Sequence, residues 1–124
     1  MNQSQKISSE FKDNKRIYDL EERTFQFAKD VRYFIKKIQK TLINLEDCRQ
    51  LLKASGSVGA NYIEANEALS KKDFLMRAKI CRKEAEEFIY WLRLINLMAE
   101  YDDNVSIQLL INQVNFLTEK TIGT

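Results

Sequence analysis

The sequence predicts an all-α fold, an antiparallel up-down-up-down four-helix bundle, on three observations. The 124 residues contain no proline and only three glycines, the residues that turn-rich and β-rich proteins need at their bends. Apolar residues recur at steps of three and four through most of the chain, which places them on one face of successive helices. Short polar connections separate these periodic stretches, and helices joined so briefly pack as antiparallel neighbours. Apolar residues at 44% and charged residues at 31% give the balance of a soluble protein with a real core.

Residues 1–17 lack apolar periodicity and read as a flexible N-terminal arm, leaving 18–124 as the bundle. The first helix is expected from Asp19 to about Lys40, burying Phe27, Val31, Phe34, Ile35, Ile38 and Leu42. Lys29, Arg32, Lys36 and Lys40 form a basic stripe on its back. Asn44, followed by Glu46 and Asp47, reads as the next N-cap. That second helix runs to about Leu69, with Cys48, Leu51, Leu52, Val58, Tyr62 and Ile63 inward. Ser70 with Asp73 three residues on resembles a capping box and opens a third helix reaching about Tyr101. Asp103 or Asn104 caps the fourth, which buries Ile107, Leu110, Ile111, Val114 and Leu117 and stops at Gly123.

Two segments exceed a plain bundle. The first is Ala54-Ser55-Gly56-Ser57-Val58-Gly59-Ala60. Each interior glycine costs about 1 kcal/mol of helix propensity relative to alanine. The strip therefore marks a close backbone approach, a break in the helix, or a ligand contact. The second is Phe88 to Ala99, where only Arg93 and Asn96 are polar. A helix apolar all round is buried on more than one side. Tyr90, Trp91, Leu94 and Met98 fall on what should be its solvent face, so a partner copy, the N-terminal arm or a membrane surface must cover them. Gly56, Gly59, Tyr90, Trp91, Leu94 and Met98 are accordingly the candidate oligomer-interface residues.

Catalysis is not expected. The chain has no histidine, so Ser, Thr and Cys nucleophiles lack the usual base. Glu64 with Glu67 and Glu84 with Glu87 sit one turn apart, but bundle di-metal sites pair glutamates with Glu-x-x-His motifs; no metal or cofactor is expected. Cys48 and Cys81 make no CxxC and read as buried thiols in a reducing compartment. No signal peptide is visible and no apolar run reaches the roughly 18 residues of a membrane span, so a cytoplasmic location is expected. The net charge of +2 is small, yet residues 71–83 set six basic side chains against Asp73 alone.

Residues 60–92 carry a family resemblance. Ser57-Val58-Gly59-Ala60-Asn61-Tyr62 with Glu64-Ala65, then Ser70, Asp73-Phe74, Lys83-Glu84-Ala85, Glu87 and Tyr90-Trp91-Leu92 resemble the bacterial four helix bundle protein family. That family is also known from intervening sequences in large-subunit ribosomal RNA genes and was once labelled ribosomal-protein-like. Asp19 to Phe25 looks like the start of its members, and the likeness covers about residues 19–100. It implies a homopentameric ring and kinship to the nucleic-acid-binding accessory protein of diversity-generating retroelements. A non-catalytic, homo-oligomeric bundle binding RNA or a ribonucleoprotein partner is therefore expected. The nucleic-acid candidates are Lys29, Arg32, Lys36, Lys40, Lys79 and Arg82, provided the two basic stretches line one face. A protein-interaction scaffold with no nucleic-acid role is the alternative, and a metal-dependent enzyme a remote third.

Overall fold

A computed structural model of the chain describes residues 3–98 and 104–122. Four helices follow one another: α1 (Gln3–Lys36), α2 (Leu42–Asn66), α3 (Lys71–Met98) and α4 (Asn104–Ile122). α1 begins far earlier than the Asp19 expected from periodicity. With no proline or glycine before Gly56, nothing local stops the helix from running back through the polar segment.

α1 ends at Lys36, four residues short of expectation. Its last turn tightens through Lys37 N–H to Phe34 O and Ile38 N–H to Ile35 O. The Lys40 ammonium folds back to donate to Ile35 O and, at 2.6 Å, to Ile38 O. A cation on these orphan carbonyls also suits the helix dipole, so Lys40 acts as a cap and leaves the stripe. The N-cap of α2 is Thr41, not Asn44: its hydroxyl accepts the Asn44 N–H at 3.1 Å. Asn44 lies inside the first turn, buried, with Nδ2 donating to Gln39 O at 3.0 Å. This earlier start leaves Leu42, expected in the core, 86% exposed. Ile63 is likewise exposed. Ser70 does cap α3, accepting the Asp73 N–H at 3.1 Å. The Tyr101, Asp103 and Gly123 boundaries lie outside the described residues.

α1 packs on α2 and α4, and α3 packs on the same two, so α1 and α3 lie across a diagonal. α2 and α3 share the most extensive seam, and each carries small buried side chains, Ala54 and Ala65 on α2 and Ala78 and Ala85 on α3. α1 and α4 share the least. The main core centres on Phe27 and Phe88, whose rings meet edge to face at 5.0 Å. Leu20, Tyr62 and Cys81 form a smaller cluster towards the α2–α3 turn.

α2 runs unbroken through its glycines, and no described residue has positive φ. A Cβ on Gly59 would meet Thr24 Oγ1 and Cβ of α1 at 3.1 and 3.2 Å, whereas one on Gly56 would meet nothing within 4 Å. Gly59 thus serves a close approach inside the chain, and Gly56 faces open space. On α3, Tyr90 is 56% exposed and Leu97 76%, while Leu94 is half-buried and Trp91 packs partly on the core. The Met98 side chain lies outside the described residues.

Candidate nucleic-acid interface

The sequence reading required the α1 stripe and the basic stretch of α3 to share a face, and the fold separates them. Helices on a diagonal turn their solvent faces to opposite corners of the bundle. The Phe27–Phe88 contact puts Lys29 to Lys36 towards the C-terminal end of α3, with Lys79 and Arg82 towards the other. The α3 cations are also largely engaged. Arg77 reaches Asn61 of α2 at 3.3 Å, Arg82 pairs with Glu86 at 3.3 Å, and Lys83 with Glu87 at 3.9 Å. Lys79 is exposed beside them.

The α1 stripe differs in two respects. Among the described residues no ion pair involves Lys29, Arg32 or Lys36; Arg32 donates only to Ala28 O, one turn back, at 2.9 Å. Tyr33, 55% exposed, sits between the two lysines, with the Lys29 and Lys36 ammoniums 6.0 and 5.6 Å from its ring centroid. An aromatic ring flanked by unpaired cations can stack a base and hold its phosphates at once. Tyr33 was missed in the sequence, where it reads as an ordinary helix tyrosine; its signal was the lysine three residues on and the one four before.

Tyr33 also borders the loose α1–α4 seam. There a groove of about 150 Å³ is lined by Tyr33, Lys37, Leu109 and Gln113 among others. It adjoins a larger one of about 360 Å³ lined by Arg23, Gln26, Leu109, Asn112, Gln113, Phe116 and Leu117. The Arg23 guanidinium lies 4.6 Å from the Phe116 ring centroid and Lys120 5.5 Å from it.

Acidic groups have local explanations. Glu64 and Glu67 are exposed. Glu84 is half-buried with Oε2 lacking a partner, and burial, then the nearby Glu87 charge, pushes its carboxyl above the usual range. Among the described residues no cluster of His, Cys, Asp and Glu could hold a metal ion, and no helix is long and apolar enough to cross a membrane.

Fold and surface together define an all-helical up-down-up-down bundle with a basic, aromatic stripe on one outer helix. The chain belongs to the 23S rRNA-intervening sequence protein family, whose model matches residues 16–122. The resemblance drawn from residues 60–92 therefore holds. Among solved structures it is similar to a protein of unknown function from the S23 ribosomal protein family of Bacteroides thetaiotaomicron. The two are 26% identical with a TM-score of 0.71, over 84% of this chain and 95% of that one. No protein of curated function matches.

Proposed function

We propose that the chain is a non-catalytic, self-associating cytoplasmic bundle that binds RNA through the outer stripe of α1. The observation that carries this reading is Tyr33 between Lys29 and Lys36, with Arg32 beside them and, among the described residues, no carboxylate paired to the three cations. Single-stranded RNA is held by such combinations of base stacking and phosphate contact. Three cations per copy bind weakly alone. A ring of copies, five by the resemblance noted above, multiplies them. Tyr90 and Leu97 on the outer face of α3 supply apolar surface for that association.

The test is fluorescence anisotropy of a labelled single-stranded RNA across a salt series, on wild type and the K29A/R32A/K36A variant. Each phosphate contact contributes about 0.7 to the slope of log affinity against log salt, so the variant should lose about 2 per engaged copy. Equal slopes and affinities would sink the stripe as the interface. RNA that is not retained even at low salt would leave the scaffold reading, for which the same α3 face serves a protein partner. Light scattering behind size exclusion checks self-association directly, and a monomer refutes it.

A further inference from the structure

Carboxylates and cations along the inner side of α1 are sorted onto different partners. Glu21 Oε1 accepts from Asn66 Nδ2 of α2 at 3.1 Å, and Glu22 Oε1 from Gln26 Nε2 at 3.0 Å. Asp30 Oδ2 accepts from Gln113 Nε2 of α4 at 3.0 Å. Neutral amides therefore take the two carboxylates that precede Arg23 and the one that borders the α1–α4 grooves. Arg23 is left to the Phe116 ring of α4, with its guanidinium 4.6 Å from the centroid, and the Lys120 ammonium approaches the same ring at 5.5 Å. Among the described residues neither cation has an ion pair, and both side chains are exposed.

Two charges of one sign, from different helices, thus converge on one ring and lie within about 10 Å of each other. An exposed ring attracts a cation only weakly and the two charges repel, so an anion shared between them is favoured. Phe116 packs against both core clusters, which fixes the ring and so the place of the pair. The pair also has a fixed relation to the basic stripe. Arg23 precedes Tyr33 by ten residues of the same helix, a rise of ~15 Å. Arg23 and Tyr33 line the two grooves that share Leu109 and Gln113, so both lie on the α4 side of α1. Leu109, 56% exposed, belongs to both grooves and offers apolar surface along the way.

We infer that Arg23 and Lys120 form a second phosphate contact, and that a single RNA strand runs along the α1–α4 seam from this pair to Tyr33. This rests on the RNA-binding reading above. The stripe holds one end of the strand and the pair holds the other, so affinity depends on a strand long enough to reach both. Continuity with the stripe favours RNA over an acidic protein segment as the anion's source.

The experiment measures anisotropy of labelled oligouridine, a trimer and a decamer, across a salt series on wild type and the R23Q/K120Q variant. The internal phosphates of the trimer are too close together to reach both points, whereas the decamer spans them. For the decamer the variant should lose affinity, and its slope of log affinity against log salt should fall by about 0.7–1.4, one or two phosphate contacts. The trimer, seated on Tyr33 and the three stripe cations, should bind the variant as it binds wild type. Circular dichroism should give both proteins the same Tm. Where the double variant is less stable, K120Q alone decides, because Lys120 is an exposed side chain in the last turn of α4: it should keep the wild-type Tm and still weaken the decamer. Unchanged decamer affinity and slope overturn the second contact and leave RNA binding by the stripe standing. Equal losses for trimer and decamer overturn the two-point path. Calorimetry showing that inorganic phosphate binds the pair as tightly as the decamer does would assign it to a free anion and overturn the strand. No retention of the decamer at low salt overturns the RNA reading and this inference together.

Discussion

Gly56 and Gly59 lie three residues apart in one helix, yet alanine at each should act in opposite directions. Removing a glycine from a helix interior gains about 1 kcal/mol of propensity at either site. At Gly56 the new methyl meets nothing within 4 Å, so G56A should keep the whole gain and raise Tm by about 4 °C. At Gly59 the methyl comes within 3.1 Å of Thr24 Oγ1 and 3.2 Å of its Cβ. Thr24 cannot swing aside freely: it is buried, and its hydroxyl donates to Glu21 O at 2.6 Å. Overpacking of this kind costs about 1–3 kcal/mol, which cancels or exceeds the gain. The two variants should therefore differ by about 1–3 kcal/mol, with G56A the more stable. Urea unfolding followed by circular dichroism measures this, with the m-value as a check that the denatured state is unchanged. Equal gains at both sites would refute the claim that Gly59 exists to admit α1. Repeating the measurement at two protein concentrations separates the chain from its assembly. Loss of stability in G56A that deepens on dilution would mean that a partner copy covers Gly56.

Other expectations follow from the core and its titratable groups. F88A removes a ring that is fully buried against Phe27 and should cost about 3–5 kcal/mol in the same urea experiment. Glu84 holds its proton more tightly when folded than when unfolded, so its contribution favours the native state at acid pH and is lost as pH rises through the raised value. E84Q should accordingly stabilise the protein at pH 7, and the advantage over wild type should shrink as pH falls towards the ordinary carboxylate range; a constant difference would remove Glu84 as its source. Burial pushes the Cys81 thiol up to about 11, and its Sγ lies 3.4 Å from Val58 O. Its reaction with a thiol reagent near pH 8 should track unfolding in urea, and prompt labelling of the native protein would contradict its burial.

Much of the fold was legible because it is written in local patterns. The inward residues Phe27, Val31, Phe34, Cys48, Leu51 and Val58 follow from periodicity, and Ser70 announces the start of α3 through its own side chain. The errors came where two local signals competed. Thr41 and Asn44 are both good caps, and choosing the later one misplaced Leu42. Lys40 reads as one more stripe lysine until a bend brings it back to Ile35 and Ile38. The site was less legible, because its defining relations are tertiary. The up-down-up-down order read from the short connections already puts α1 and α3 on a diagonal, which separates Lys29 from Lys79, so the expectation of one shared basic face did not follow from the predicted topology. Gln113 looks like a solvent-facing amide until α4 is set beside α1 and its Nε2 reaches Asp30. The strip around Gly56 and Gly59 signals a close approach, a helix break or a ligand contact alike in the sequence, and which glycine meets a neighbour depends on the rotation of α2 against Thr24.

The weak α1–α4 seam has a bearing on how the chain reaches its native state. α2 and α3 are sequence neighbours joined by a short turn, and their extensive contact closes a short loop at small entropic cost. α1 and α4 come together only by closing most of the chain, as the Gln113–Asp30 bond across 83 positions illustrates. During N-to-C synthesis the inward face of α1 therefore finds α2 well before it finds α4, and it stays half-covered until the final helix has emerged. The last contact to form is thus the same surface that holds the two grooves.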